Sequence, residues 1–106
     1  MSLPAIRGFD WDDGNRDKCQ KHGMSIEEIE GVFTRPVVIL RDRDNASGER
    51  RLKAIGTTPA GRHAFIVLTW RAEHAGGALL RPISARYMHE SEVEAYEKAN
   101  PDLQNR

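Results

Sequence analysis

The chain is poor in several things, and each shortage excludes a class of protein. Cysteine occurs once, at Cys19. No internal disulfide can form, and a reducing cytoplasm is the simplest setting. No apolar run approaches the ~20 residues that span a bilayer, and Met1–Ala5 carries no apolar signal core. Membrane spanning and secretion are therefore not expected. A phosphate-cradling glycine loop, a nucleophile elbow, an internal repeat and a low-complexity segment are all absent, which removes nucleotide hydrolysis and serine-hydrolase chemistry from the front rank. Cys19-x-x-His22 gives only two ligands in one helical turn, and His63, His74 and His89 fall at no regular spacing. No zinc site is expected, and no cofactor is called for.

Net charge is also missing: 16 basic side chains balance 16 acidic ones. Such a balance ordinarily argues against a nucleic-acid partner. The distribution says otherwise. Residues 1–34 carry net −3, residues 35–86 net +6 and residues 87–106 net −3. Nearly all the cations of the middle segment are arginine, which grips phosphate with a planar two-pronged fork. The other reading of these arginines is a set of solvated strand faces.

What is present organises 106 residues into one domain, with a core over about 9–99 and loose ends at 1–7 and 101–106. Phe9-Asp10-Trp11 reads as a short strand. Asp12 or Asp13 caps a helix through Asn15–His22, ended by Gly23. Ser25-Ile26-Glu27-Glu28 is a capping box, followed by an Ile26/Ile29/Val32/Phe33 stripe and stopped by Pro36. Four strands follow, at 37–40, 51–57, 63–71 and 79–87, separated by turn chemistry. Ser91 caps a last, acidic helix over Glu92–Ala99. The order β-α-α-β-β-β-β-α predicts an α+β domain, an antiparallel meander sheet with helices on one face.

Four stretches carry a resemblance: Phe9-Asp10-Trp11-Asp12, Lys21-His22-Gly23-Met24-Ser25-Ile26-Glu27-Glu28, Ser47-Gly48-Glu49-Arg50-Arg51 and Arg81-Pro82-Ile83-Ser84-Ala85-Arg86. In this order and spacing the sequence resembles the BrnT family of bacterial toxins, over about residues 9–97. The resemblance implies a RelE-like fold, metal-independent RNA cleavage, growth inhibition, and neutralisation by a small antitoxin, BrnA. DNA would be met only through that antitoxin. Three features differ from the family pattern: Pro82 stands where an apolar strand residue is usual, Tyr87-Met88-His89 stands where a basic run is common, and the last helix is acidic.

RNA is cut when its 2′-OH attacks the adjacent phosphate. This needs a base, cations for the phosphorane and an acid for the leaving 5′-oxygen. His22, Glu49 and Arg86 are the catalytic candidates. Lys21, Arg50, Arg51, Lys53, Arg81, Ser84, Tyr87 and His89 are the candidates for binding RNA or its phosphates. Imidazole titrates near neutral pH, so His22 suits proton transfer, or else it merely caps its helix. Glu49 is a base or a loop carboxylate paired with Arg50 or Arg51. Tyr87 and His89 supply an acid, stack a base or decorate the surface. Strand alternation places Leu79, Arg81, Ile83 and Ala85 on one face and Leu80, Pro82, Ser84 and Arg86 on the other. With Ile83 and Ala85 in the core, Ser84 and Arg86 face the open side, and Arg81 joins them only if Pro82, which lacks a ladder N–H, marks a bulge. Arg86 alternatively pairs with the acidic last helix. If that helix folds across the basic face, a second reading gains: a non-catalytic toxin-like module that mainly complexes a DNA-binding antitoxin. A third, enzymatic action on small phosphorylated molecules, lacks a closed-pocket signature.

Overall fold

The computed structural model describes residues 6–41 and 51–99. The elements are β1 (Ile6–Phe9), α1 (Asp13–Gln20), α2 (Ile26–Val32), β2 (Val38–Arg41), β3 (Leu52–Thr57), β4 (His63–Ala72), β5 (Ala78–Tyr87) and α3 (Glu90–Ala99). Both early helices begin with reciprocal caps. Asp12 accepts from the Asn15 backbone N–H while the Asn15 side chain accepts from Asp12, and Ser25 and Glu28 do the same for α2. Past α1, Gly23 adopts φ +96, a conformation an L side chain resists, which turns the chain toward α2.

The five strands form one sheet in the order β1-β5-β4-β3-β2. Strands β2 to β5 are the expected antiparallel meander. The sheet as a whole is mixed, which corrects the all-antiparallel expectation: β1 pairs with β5 in parallel. The cause is local. The chain leaves β1, bonds Asp10 N–H to the Leu80 carbonyl at 2.8 Å and enters α1. Two helices and strands β2, β3 and β4 then intervene before β5, long enough for a parallel crossover.

The core lies on the face that receives α1 and α2. Ala54, Ala64, Ile66, Leu68 and Leu80 meet Cys19, Met24, Ile29 and Val32 there. Gly56 is required at its position, because a Cβ would stand 2.9 Å from Val37 and 3.0 Å from Val32. The expected placement of all helices on one face holds for α1 and α2 only. The last helix, α3, touches the sheet through Arg86 and His63, which alternate with core residues and so belong to the opposite face. None of its residues is buried.

Within β5, Ser84 and Arg86 face the open side as expected and Arg81 joins them through a bulge, but the placement of Leu80 and Pro82 on that side is corrected. Val67 opposes Ser84 and Leu68 opposes Pro82, so Ile83 is an extra, bulged residue. Leu80 and Pro82 therefore share the core face with Ala85, and Arg81, Ser84 and Arg86 share the other. A proline without an N–H is tolerated where the ladder is already interrupted.

Candidate active site

A cleft of about 300 Å³ opens on the face away from α1 and α2. Among its lining residues are His22, Lys53, Phe65, Ser84 and Arg86. Three elements converge to build it. β3 supplies Lys53 and β4 supplies Phe65. The bulge in β5 turns Ser84 and Arg86 to this side. β1 pairs with β5 only over Ala78–Leu80. The later part of β5 is thus left clear of β1, and His22, just beyond the end of α1, reaches the cleft there.

Four of the sequence candidates, His22, Lys53, Ser84 and Arg86, thus meet in one place. Lys21 is exposed beside His22 at the end of α1. Arg51 is half-buried just before β3. Arg81 lies on the same sheet face but is engaged elsewhere. Its Nη2 donates to Asp12 at 2.7 Å, and its Nη1 sits 3.6 Å from Asp10. This ties β5 to the start of α1. Tyr87 is on the helix-bearing side, where its hydroxyl donates to Glu28 at 2.7 Å and Arg62 lies 3.5 Å from its ring centroid. His89 is exposed ahead of α3. Glu49 and Arg50 lie outside the described residues.

Two residues of this region were not singled out from the sequence. Phe65 forms part of the cleft with two cations over its ring: Lys53 Nζ at 4.2 Å and Arg86 Cζ at 4.6 Å from the centroid. Its signal was available, as an aromatic on the polar parity of an apolar strand. Glu92 is the second. Arg86 Nη1 and Nη2 donate to its two carboxylate oxygens at 2.8 and 2.9 Å, a two-pronged ion pair. The pairing of Arg86 with the acidic last helix is thus the arrangement observed.

That pair sets a pH dependence. The Arg86 fork, followed by the His89 backbone N–H, holds the Glu92 carboxyl down to about 2 from an ordinary 4.5. A depressed acid stabilises the docked state above its unpaired value and loses that stabilisation as pH falls toward the depressed one. The α3 attachment is therefore expected to persist to about pH 4.5 and to weaken from there to about pH 2. A carboxyl NMR titration checks this: the Glu92 midpoint lies well below 4.5 in the intact protein and returns toward 4.5 in Arg86→Ala. An unchanged midpoint in that variant defeats the assignment.

Among the described residues, no group of three or more His, Cys, Asp or Glu side chains is placed to hold a metal ion. No helix among them is long and apolar enough to cross a membrane. Cys19 is fully buried, and burial pushes its thiol up to about 11, so it serves as a core side chain.

A family model described as "Ribonuclease toxin, BrnT, of type II toxin-antitoxin system" matches residues 11–92. The matched stretch runs from Trp11 through every cleft residue to Glu92. No curated protein matches the chain.

Proposed function

The chain belongs to the BrnT family of ribonuclease toxins of type II toxin–antitoxin systems, and from that premise we propose that its cleft cuts RNA without a metal ion. The observation that carries this reading is the meeting of His22, Lys53, Ser84 and Arg86 at one opening on the sheet. A ribose 2′-OH attacks the neighbouring phosphorus, forming the 2′-O–P bond and breaking P–O5′. One proton leaves the 2′-oxygen for a base, and another reaches the departing 5′-oxygen from an acid. His22 serves one of these transfers. Glu49 is the candidate for the other. Arg86 and Lys53 counter the charge that builds on the phosphorane oxygens, and Ser84 donates a hydrogen bond to phosphate. Lys21 and Arg51 extend the phosphate-binding surface, and Arg50 is retained from the sequence as a further phosphate-binding candidate.

We read the fold as RelE-like, the partner as a BrnA-like antitoxin and the setting as the cytoplasm. DNA is reached only through the antitoxin.

One observation favours a second reading. The Arg86 fork already holds a carboxylate, as a toxin-like module retained only for antitoxin binding would allow. The two separate in one experiment. Purified protein incubated with RNA in chelator-containing buffer is expected to give fragments ending in a 2′,3′-cyclic phosphate and a 5′-hydroxyl. Intact RNA, with antitoxin binding preserved, establishes the non-catalytic module instead.

A further inference from the structure

A cation that stabilises a phosphorane is effective only when its donors already point at the place where charge develops. Arginine has four torsions and reaches such a geometry only if something holds it. Arg86 is held from three sides. Its Nη1 and Nη2 donate to Glu92, its Nη1 also donates to the Tyr87 carbonyl at 3.2 Å, and its guanidinium carbon lies 4.6 Å from the Phe65 ring centroid. Glu92 is itself fixed, because its Oε1 accepts the His89 backbone N–H at 2.8 Å at the start of α3. The order of support thus runs from the first turn of α3 to Glu92 to Arg86.

Guanidinium has five N–H groups and two edges able to engage a pair of oxygens. These contacts use the Nη1/Nη2 end. The Nε–H and the second Nη2–H, which together form the other edge, have no hydrogen-bond partner among the described residues. We propose that Glu92 and Phe65 are positioning residues, which fix Arg86 from its end and its face so that the Nε/Nη2 edge is presented to a phosphate in the cleft. Glu92 does not have to leave for phosphate to bind. This rests on the reading of the cleft as the site of RNA cleavage, and it makes the Arg86–Glu92 pair part of the machinery.

The variants are Glu92→Gln, which keeps the size and one acceptor, and Phe65→Leu, which keeps the strand apolar. Displacing the held guanidinium is expected to lower kcat about tenfold in each, since small misplacements act on the transition state. KM should move by less than about threefold, because an interaction made only in the transition state is being weakened. In an Arg86→Ala background, assayed under single turnover, Glu92→Gln is expected to cost nothing further. A rise in kcat/KM in Glu92→Gln would show that Glu92 competes with phosphate, and overturns the proposal. An equal loss in both backgrounds, which shows a role in folding alone, also overturns it. A second readout needs no activity. The Nη protons of Arg86 should give separate NMR signals in the intact protein and merge in Glu92→Gln. Merged signals in the intact protein refute the positioning role. If the intact protein leaves RNA uncut, the reading of the cleft falls, and the NMR result still decides whether Glu92 holds Arg86.

Discussion

Replacing Arg86 by alanine is expected to lower the rate of RNA cleavage by about 10²- to 10³-fold, the usual cost of deleting a donor aimed at developing charge. The fold should survive. Arg86 is partly exposed, with 39% of its side chain accessible, and its ion-pair partner Glu92 is also at the surface, where pairs add little to stability. The thermal midpoint is expected to move little, and the catalytic loss should appear at temperatures where the variant is fully folded. Arg86→Lys separates charge from geometry. A lysine restores one positive point but neither the fork to Glu92 nor a second two-pronged edge. It should recover only part of the lost rate. The measurement is single-turnover cleavage of a defined RNA at fixed salt, with circular dichroism confirming the fold. A rate within a few-fold of the intact protein in Arg86→Ala removes this residue from the chemistry.

How far the sequence leads can be judged from such residues. Both helix starts were legible because capping is a local, short-range code: Asp12, Ser25 and Glu28 act on backbone groups three residues away. The meander was legible from apolar runs broken by turn residues. The partner of β1 was not, because a four-residue strand carries no signal of which edge it will join. In β5 the outward placement of Ser84 and Arg86 held, and that of Arg81 on the condition of a bulge, but strict alternation misplaced Leu80 and Pro82 for a related reason. Alternation holds only while the ladder is unbroken, and one bulged residue, Ile83, reverses it. Pro82 was the visible sign of the interruption, but a proline does not say which neighbour is the extra residue. His22 was singled out for its imidazole and Ser84 and Arg86 from strand parity, and all three lie in stretches that carry the family resemblance. Lys53 was found from strand parity. Phe65 and Glu92 are joined to the site by contacts with Arg86 across the fold, and no short motif marks them.

The second large effect is expected at Asn15, a residue whose sequence context suggests only a helix start. Asn15 is 6% exposed and makes contacts in two directions. Its Oδ1 accepts from the Asp12 N–H at 2.7 Å, which completes the α1 cap. Its Nδ2 donates to the Asp10 carbonyl at 3.0 Å and to the Pro82 carbonyl at 2.9 Å, the latter bond buried. One amide therefore joins the end of β1, the start of α1 and the bulge of β5. Asn15→Ala leaves these backbone groups without partners, and the buried carbonyl of Pro82 cannot turn to water. The cost is expected to be about 2–3 kcal/mol, a fall in thermal midpoint of roughly 10–20 °C for a domain of this size. Asn15→Asp gives the sharper test. It keeps the shape and the cap acceptor but turns a carboxylate oxygen toward two carbonyl oxygens. The folded state then favours the protonated acid, so that carboxyl rises above its unfolded value. A raised acid destabilises the protein above its unfolded value, and the deficit shrinks as pH falls. Asn15→Asp should therefore gain stability relative to the intact protein on acidification, whereas Asn15→Ala should show no such recovery. The consequence reaches the cleft, because the bulge that Asn15 grips is what turns Ser84 and Arg86 toward His22 and Lys53. Equal midpoints for Asn15→Ala and the intact protein would show that the bulge holds itself.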